Sequence, residues 1–549
     1  MAKGNKRKLV ETFVHDEATR KNIPTAEHQS VMHEEQKSPV RVAYERRNRD
    51  LDPQLVWRGK DEQDWSDLVV QAPPLYIQEK VHPKVLIDDL LRRTEKRERD
   101  AQAQIDLFAD FNGLPEDGAR TEFYQHAQNW TNRMILGDSL ATMASLAERE
   151  GLRGQVQCIY IDPPYGIKFN SNFQWSTTSR DVKDGNTDHI TREPEQVKAF
   201  RDTWRDGIHS YMTYLRDRFT VARDLLTDSG SIFVQISDEN VHRVRGLLDE
   251  VFGDENFISE IVFTKTRSLV SSDFVTTICD YILWFAKDRE AAKGKARKVL
   301  IPKIDESLAS HYESQDGVLL SKAEYSKLGD ESGIGSSKLI PFMSDNLIRN
   351  ANPIINLEWQ KRKVEGRFRT SEAGMIRAMK ANRILFTKNN VRYKFHLADF
   401  PVSPLNHLWS DTIGAQNMVY VVQTNERIVQ RCMLMCTDPG DLVLDPTCGS
   451  GTTAYVAEQW GRRWITIDTS RVALALARAR IMGARYPYYL LADSPEGQQK
   501  EAENTHTFPS SQPTHGDLRH GFVYERVPHI TLKSIANNTE IDVLWEKYE

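Results

Sequence analysis

Leu442-Val443-Leu444-Asp445-Pro446-Thr447-Cys448-Gly449-Ser450-Gly451-Thr452-Thr453 is the stretch that decides the fold of this chain. Its opening apolar residues suit a buried strand. Asp445 puts a carboxylate at the carboxyl end of that strand, the edge where open α/β sheets bind ligands. Gly449 and Gly451 allow a tight turn and a close approach of backbone to a ligand, and a helix is expected from Thr453 to Trp460. Far upstream, Cys158-Ile159-Tyr160-Ile161 followed by Asp162-Pro163-Pro164-Tyr165 has the same design: an apolar run closed by a carboxylate. Two such strand ends in one chain predict a shared site.

Outward from these segments, strand and helix patterns alternate. Arg133–Leu136 reads as a strand with Gly137-Asp138 at its end. Residues 195–228 have helical periodicity broken near Gly207. Ser231–Ile236 and Tyr281–Phe285 read as strands, with an amphipathic helix from Glu239 to Phe252 closed by Gly253. Around the second segment, a helix is expected over Arg427–Met435, a strand over Trp464–Ile467 and a helix over Val472–Met482. This alternation predicts an α/β fold with a mostly parallel sheet covered on both faces.

Residues 288–405 break the alternation and read as an insert. Within them Lys361–Lys394 holds eleven Lys/Arg against two Glu, interleaved with Phe368, Phe386, Tyr393 and Phe395. A solvated basic face is the usual origin of such a run; phosphate and base contacts are the functional reading. The expected organisation is therefore a polar, disordered tail over 1–50, an N-terminal extension over 51–128, a first catalytic half over 129–287, the insert over 288–405, a second, cofactor-binding half over 406–493 and a C-terminal extension over 494–549. The last stops inside an apparent helix, which suggests a missing C-terminal portion.

At 549 residues the chain exceeds one ordinary domain. No apolar run reaches the roughly eighteen residues of a membrane-spanning helix, and the basic N-terminus lacks the apolar stretch of a secretion signal. A cytoplasmic protein without membrane association is expected. Cys158, Cys279, Cys432, Cys436 and Cys448 form no pair with zinc spacing, so they read as buried small hydrophobes and no metal is expected. The net charge of −5 does not by itself announce nucleic-acid binding.

The residue types suit one chemistry. An exocyclic amine of a base is a poor nucleophile, its lone pair being delocalised into the ring. Asp162 can accept one of its N–H bonds and the Pro163 carbonyl the other; Pro163 and Pro164 stiffen these acceptors, which is electrostatic preorganisation. The Tyr165 ring can stack on the base. In the second half, Asp445 is placed to meet the ammonium of a methionine moiety. Asp468, nineteen residues past Gly449, ends the next strand, where an acid can hold two ribose hydroxyls. Gly449-Ser450-Gly451-Thr452-Thr453-Ala454 lacks the third glycine of a dinucleotide site. Methyl transfer from S-adenosylmethionine to an amino group of DNA is thus expected, with Pro446, Cys448, Gly449, Ser450, Gly451 and Thr452 around the cofactor. Asp138 is a candidate contact to the cofactor's adenine, with turn capping as its alternative. Asp493 reads as a strand terminator after Tyr488–Leu491, and Asp238 and Glu239 as helix caps.

These residues resemble the amino-group DNA methyltransferases of the β arrangement, in which the catalytic tetrapeptide precedes the cofactor motif and a target-recognition region lies between. Further matches are Gly137-Asp138, Asp280–Lys287 and Gly461–Asp468. The resemblance implies a Rossmann-like S-adenosylmethionine-dependent methyltransferase fold. Asp162 at the first motif position implies adenine N6 as the acceptor, where Ser is typical of cytosine N4 enzymes. Length and insert resemble modification subunits of type III restriction systems, implying double-stranded DNA as substrate, a homodimer and a helicase-nuclease restriction subunit as partner. Two departures stand out: Thr447 where many relatives have Phe, and Gln423-Thr424-Asn425 where a Lys-Pro is often found. The competing readings are a cytosine N4 or RNA amino-methyltransferase on the same scaffold, and a DNA-specificity subunit with an idle centre.

Overall fold

The computed structural model describes residues 40–45, 55–64, 66–75, 130–164, 207–266, 275–303, 311–313, 319–320, 335–341, 354–359, 362–386, 391–413, 423–510 and 512–548. They divide into two compact units. The first comprises Met1–Arg297, His407–Gly497 and Gln512–Phe522; the second comprises Lys298–Asn406, Gln498–Ser511 and Val523–Glu549.

The first unit is built on an eight-stranded sheet. In chain order its strands are β1 (Arg133–Leu136), β2 (Val156–Ile161), β3 (Leu226–Ile236), β4 (Phe257–Thr264), β5 (Cys279–Ala286), β6 (Leu408–Trp409), β7 (Leu442–Asp445) and β8 (Arg463–Asp468); in space they run β6-β4-β5-β3-β2-β7-β8-β1. The pairs β1–β8, β8–β7, β7–β2, β2–β3 and β4–β6 are parallel, while β5 lies antiparallel to both its neighbours. The expected α/β class with a mostly parallel sheet is what forms.

Strand alternation sorts the side chains by face. Ile159 and Ile161 of β2, Ile232 and Val234 of β3, Leu444 of β7 and Ile465 of β8 enter one apolar core with Met143 and Leu146 of α1 (Ser139–Glu148), Leu215 and Phe219 of α2 (Ile208–Leu225) and Leu247 and Phe252 of α3 (Val241–Phe252). Each such side chain removed from water contributes about 1.5–3 kcal/mol. The intervening residues, Tyr160 and Gln235 among them, are also buried, on the face toward α4 (Glu426–Cys436). Helices α5 (Thr452–Gln459) and α6 (Arg471–Gly483) follow β7 and β8.

Several elements differ from the sequence reading. Val40–Tyr44, inside the stretch read as a polar tail, pairs antiparallel with Leu68–Ala72; its apolar alternation is short, and Tyr44 becomes buried when Leu68, Val70 and Ala72 supply a matching face. Strands β4 and β6 escaped notice. Tyr488–Leu491 makes no strand, only a bridge from Leu491 to Phe522. Asp493 therefore terminates nothing: its carboxylate accepts the backbone N–H groups of His515 and Asp517 at 3.2 and 2.9 Å. Cys158, Cys432, Cys436 and Cys448 are buried, and Cys279 is half-buried. The helix-like run that the sequence carries after Pro83, from Val85 to Arg99, lies outside the described residues.

The second unit holds a five-stranded sheet, in the order Leu319–Leu320, His311–Glu313, Gly335–Pro341, Val391–His396, Ile384–Phe386, and a hairpin of Ile354–Trp359 with Arg362–Arg367. Here the aromatic residues of the basic stretch are interior. Phe368 and Tyr393 are core residues, packed with Met375, Met379 and Ile535, and Phe386 and Phe395 pack on them. They are occupied in holding the unit together. Arg377 and Lys380 pair with Asp542, each at 2.8 Å, and Arg383 pairs with Asp399 at 2.6 Å. Lys394 is buried, its Nζ donating to Asn382. Arg369 is exposed.

Candidate active site

The carboxyl ends of β2, β7, β8 and β1 lie side by side, because each is the parallel neighbour of the next. Val443 pairs with Cys158 and Leu444 with Ile159, so the two aspartate motifs leave adjacent strands at the same edge. Pro163 and Pro164 end β2: without N–H groups they cannot extend the ladder. Asp162 is thereby left half-buried just past the strand, Pro163 is buried, Pro164 is half-buried, and Tyr165 lies outside the described residues.

The motifs are bonded to each other. The backbone N–H of Asp162 donates to Thr447 Oγ1 at 2.9 Å, while the Thr447 hydroxyl donates to Asp445 Oδ1 at 3.1 Å. The Thr447 N–H reaches the same Oδ1 at 2.9 Å. Asp445 is 4% exposed. Burial pushes its carboxyl up to about 6, against the lowering effect of bonds from Thr453 and Thr447 and with a further upward push from the charge of Asp468. This is a carboxylate kept from water.

Beyond Asp445 and the buried Pro446 the chain turns through Gly449 and Gly451, both in the left-handed region at φ 51° and 72°. Gly451 is also a point of close approach: a Cβ there would stand 2.7 Å from Ala477 Cβ on α6. The turn is tied to the next strand end. Asp468 Oδ2 accepts the Gly449 N–H and Oδ1 the Ser470 N–H, each at 2.8 Å, and the Asp468 carbonyl accepts the Gly137 N–H at 2.9 Å. Ser450 and Thr452 bond to one another at 2.9 Å, and Arg480 of α6 donates to both hydroxyls at 3.3 and 3.0 Å while pairing with Glu426 at 2.7 Å. Cys448 is buried, its thiol pushed well up by burial and by the charges of Asp468 and Asp445.

Asp138 sits at the end of β1, where it caps α1 by accepting the Ala141 N–H at 3.2 Å and forms an ion pair with Arg218. Capping, the alternative weighed for it, is what its carboxylate does. Arg218 also bonds Ser139 and lies over the Tyr214 ring, 3.4 Å from its centroid. Helix α2 thus lines this edge with groups that sequence reasoning passed over. Tyr211 is fully buried, and its phenol is pushed up by burial and by the nearby charges of Tyr214 and Asp162. Thr424 and Gln235, likewise unflagged as site residues, bond at and behind Asp162. The one sequence signal was that Thr424 and Thr447 stand where the resembling family carries other residues. Among the described residues no group of His, Cys, Asp or Glu is placed to hold a metal ion.

The family model described as DNA methylase matches residues 156–479. Type II methyltransferase M.EcaI of Enterobacter cloacae is 26% identical over 350 residues, covering 61% of this chain and 66% of the relative. The type III restriction-modification enzyme StyLTI Mod subunit of Salmonella typhimurium is 23% identical over 376 residues, covering 63% and 54%. The chain thus spans between about half and two thirds of the length of these curated relatives. Among solved structures, the M1.HpyAVI–SAM complex aligns with 64% of this chain and 98% of its own at 12% identity and a TM-score of 0.30. With the family match running through both aspartate motifs and over more than half of its length, the chain belongs to the N6/N4 DNA methylase family.

Proposed function

We propose that this protein transfers a methyl group from S-adenosylmethionine to N6 of adenine at specific sites in duplex DNA, within a restriction-modification or phage-defence system. The observation that carries the proposal is the joining of Asp162 to the Asp445 loop through one threonine hydroxyl. An acceptor for an amine and a cofactor loop share one sheet edge.

The residues present fit the cofactor. Asp445 is a buried carboxylate whose ionisation is disfavoured by burial, the environment in which an ammonium partner is most stabilising. Gly449 and Gly451 bring bare backbone to the same edge, next to the amino end of α5. Asp468 is the acid at the neighbouring strand end. When bound, S-adenosylmethionine supplies an electrophilic methyl on a sulfonium. The chain's own contribution is orientation: Asp162 and the Pro163 carbonyl accept hydrogen bonds from the two amine N–H groups and aim the nitrogen lone pair, with Tyr165 stacking on the base. Drawing the base from the duplex costs a few kcal/mol, offset by these contacts.

Asp at position 162 supports adenine over cytosine. The relative named as a type III Mod subunit supports a place in a restriction-modification system with a further subunit as partner; a helicase-nuclease as that partner, a homodimer as the working form, the cytoplasm as location and 288–405 as the target-recognition region belong to the same proposal. Among the described residues no helix is long and apolar enough to cross a membrane. The test is to supply radiolabelled cofactor with unmodified genomic DNA or with RNA and to identify the labelled nucleoside. N6-methyl-2′-deoxyadenosine from DNA is expected; N4-methyl-2′-deoxycytidine, or label in RNA alone, would replace the reading, and no incorporation with intact cofactor binding would favour an idle specificity subunit.

A further inference from the structure

Behind Asp162 runs a directed chain of hydrogen bonds. Asp162 Oδ2 accepts the hydroxyl proton of Thr424 at 2.9 Å. Thr424 Oγ1 in turn accepts from Nε2 of Gln235 at 3.2 Å, and Gln235 Oε1 accepts the phenol proton of Tyr160 at 2.6 Å. Tyr160 and Gln235 are buried on neighbouring parallel strands, β2 and β3. Thr424 comes from a third place in the chain, directly before α4.

The order of donors is dictated by chemistry. A phenol that donates to an amide oxygen holds the amide plane, so the amide nitrogen faces Thr424. A threonine hydroxyl has one proton. With its oxygen accepting from the amide nitrogen, that proton is directed to the carboxylate. Gln235 Oε1, at 3.4 Å, is a second acceptor within reach of the Thr424 hydroxyl, and Asp162 Oδ2, at 2.9 Å, is the nearer one. A hydrogen bond to a charged acceptor is roughly twice as strong as a neutral one, so the terminal bond, at Asp162, is the one the other two serve.

We propose that Thr424, Gln235 and Tyr160 are positioning residues for Asp162: they touch no reacting atom, and they fix the rotation of its carboxylate so that an incoming amine meets an acceptor already oriented. This rests on the methyl-transfer reading above. A purely structural role, the mere satisfaction of buried polar strand residues, makes a different prediction: loss of stability on substitution, without a selective loss of turnover.

The experiment uses the full chain with unmodified genomic DNA as methyl acceptor. Thr424→Val, Thr424→Ser, Tyr160→Phe, the Tyr160→Phe/Thr424→Val pair and Asp162→Ala are compared for kcat, KM for DNA, S-adenosylhomocysteine affinity by calorimetry, and melting temperature. Thr424→Val should lower kcat about ten- to a hundredfold, the scale of one lost preorganised donor, with KM and cofactor-product affinity within about twofold. Thr424→Ser should restore most of kcat. Tyr160→Phe should give a smaller fall in the same direction, and the double variant should be no worse than Thr424→Val, since members of one relay are not additive. An unchanged kcat in Thr424→Val, additive effects in the double variant, or no rescue by serine would overturn the relay. A crystal structure of Thr424→Val gives a readout independent of turnover: the Asp162 carboxylate should be rotated or spread over orientations, and an unmoved carboxylate would also overturn it. Full activity in Asp162→Ala would instead sink the methyl-transfer assignment of Asp162 itself, so the two failures are distinguishable.

Discussion

The backbone N–H of Asp162 donates to the hydroxyl of Thr447 across 285 positions of sequence, at 2.9 Å. The same hydroxyl donates a hydrogen bond to Asp445. One side chain thereby sets the spacing between the amine acceptor and the cofactor loop. Thr447→Val, which keeps the volume and removes both bonds, should weaken cofactor affinity and lower kcat together, by about tenfold each. Calorimetry and steady-state kinetics on the same preparation check this; a change in one constant without the other would separate the two halves.

Asp445 links the site to pH. Its ordinary value is 3.8 and burial, its largest influence, raises it to about 6. Because the folded value is the higher one, its contribution to stability is fully present below about 3.8 and is lost as pH rises through about 6. Asp445→Asn should therefore stabilise the cofactor-free protein at pH values well above 6, by on the order of 1–3 kcal/mol, while it weakens cofactor binding severely. In the unaltered protein, cofactor affinity should fall by up to about tenfold per unit as pH drops below about 6. Denaturant melts and titrations across that range read both effects.

Gly451 combines a left-handed φ with a close neighbour, Ala477. Gly451→Ala should cost more than the roughly 1 kcal/mol of the strained conformation, because α6 must also move away. A lowered melting temperature with weakened cofactor affinity is expected. A variant as stable as the parent would mean that α6 yields freely.

Lys60 and Glu250 form a buried ion pair at 2.7 Å, with Arg216 of α2 3.6 Å from the same carboxylate and 2.7 Å from Asp64. This cluster fastens the segment around residue 60 to α2 and α3. Lys60→Met leaves Glu250 short of a counter-charge, which typically costs about 3–5 kcal/mol. Urea denaturation should show it, and Glu250→Gln in the same background should recover part of the loss.

In the second unit, Arg377 and Arg369 should behave oppositely. Arg377 is committed to Asp542 and to the Ala536 carbonyl, so Arg377→Ala should lower stability with little change in the salt slope of DNA binding. Arg369 is exposed, and Arg369→Ala should reduce that slope by about one while leaving the melting temperature in place. An unaltered slope for Arg369→Ala would return it to the solvated surface.

Much of the first unit was legible because its signals are local. An apolar run ended by Asp-Pro-Pro, and another ended by Asp and a glycine turn, fix strand, edge and turn without distant information. The two strands at one end of the sheet, β6 and its neighbour β4, were not. Leu408–Trp409 is too short to carry any period, and Phe257–Thr264 is only partly buried. The core role of Phe368 and Tyr393 was hidden because charges surround them in sequence, and burial there depends on Ile535 and the other residues of a late segment. Thr424 and Gln235 were invisible for a related reason. A threonine before a helix and a glutamine within a strand acquire meaning only when β2, β3 and the start of α4 meet.

The position of β7 between β2 and β8 has a consequence for biosynthesis. Val156–Ile161 leaves the ribosome long before Leu442–Asp445 exists, so one flank of a wholly buried, apolar strand has no partner while the insert is being translated. Open edges of that kind recruit strands from other molecules. The nascent polypeptide is thus most prone to association with its siblings during that interval, and the arrival of the glycine-turn segment both closes the edge and completes the pocket.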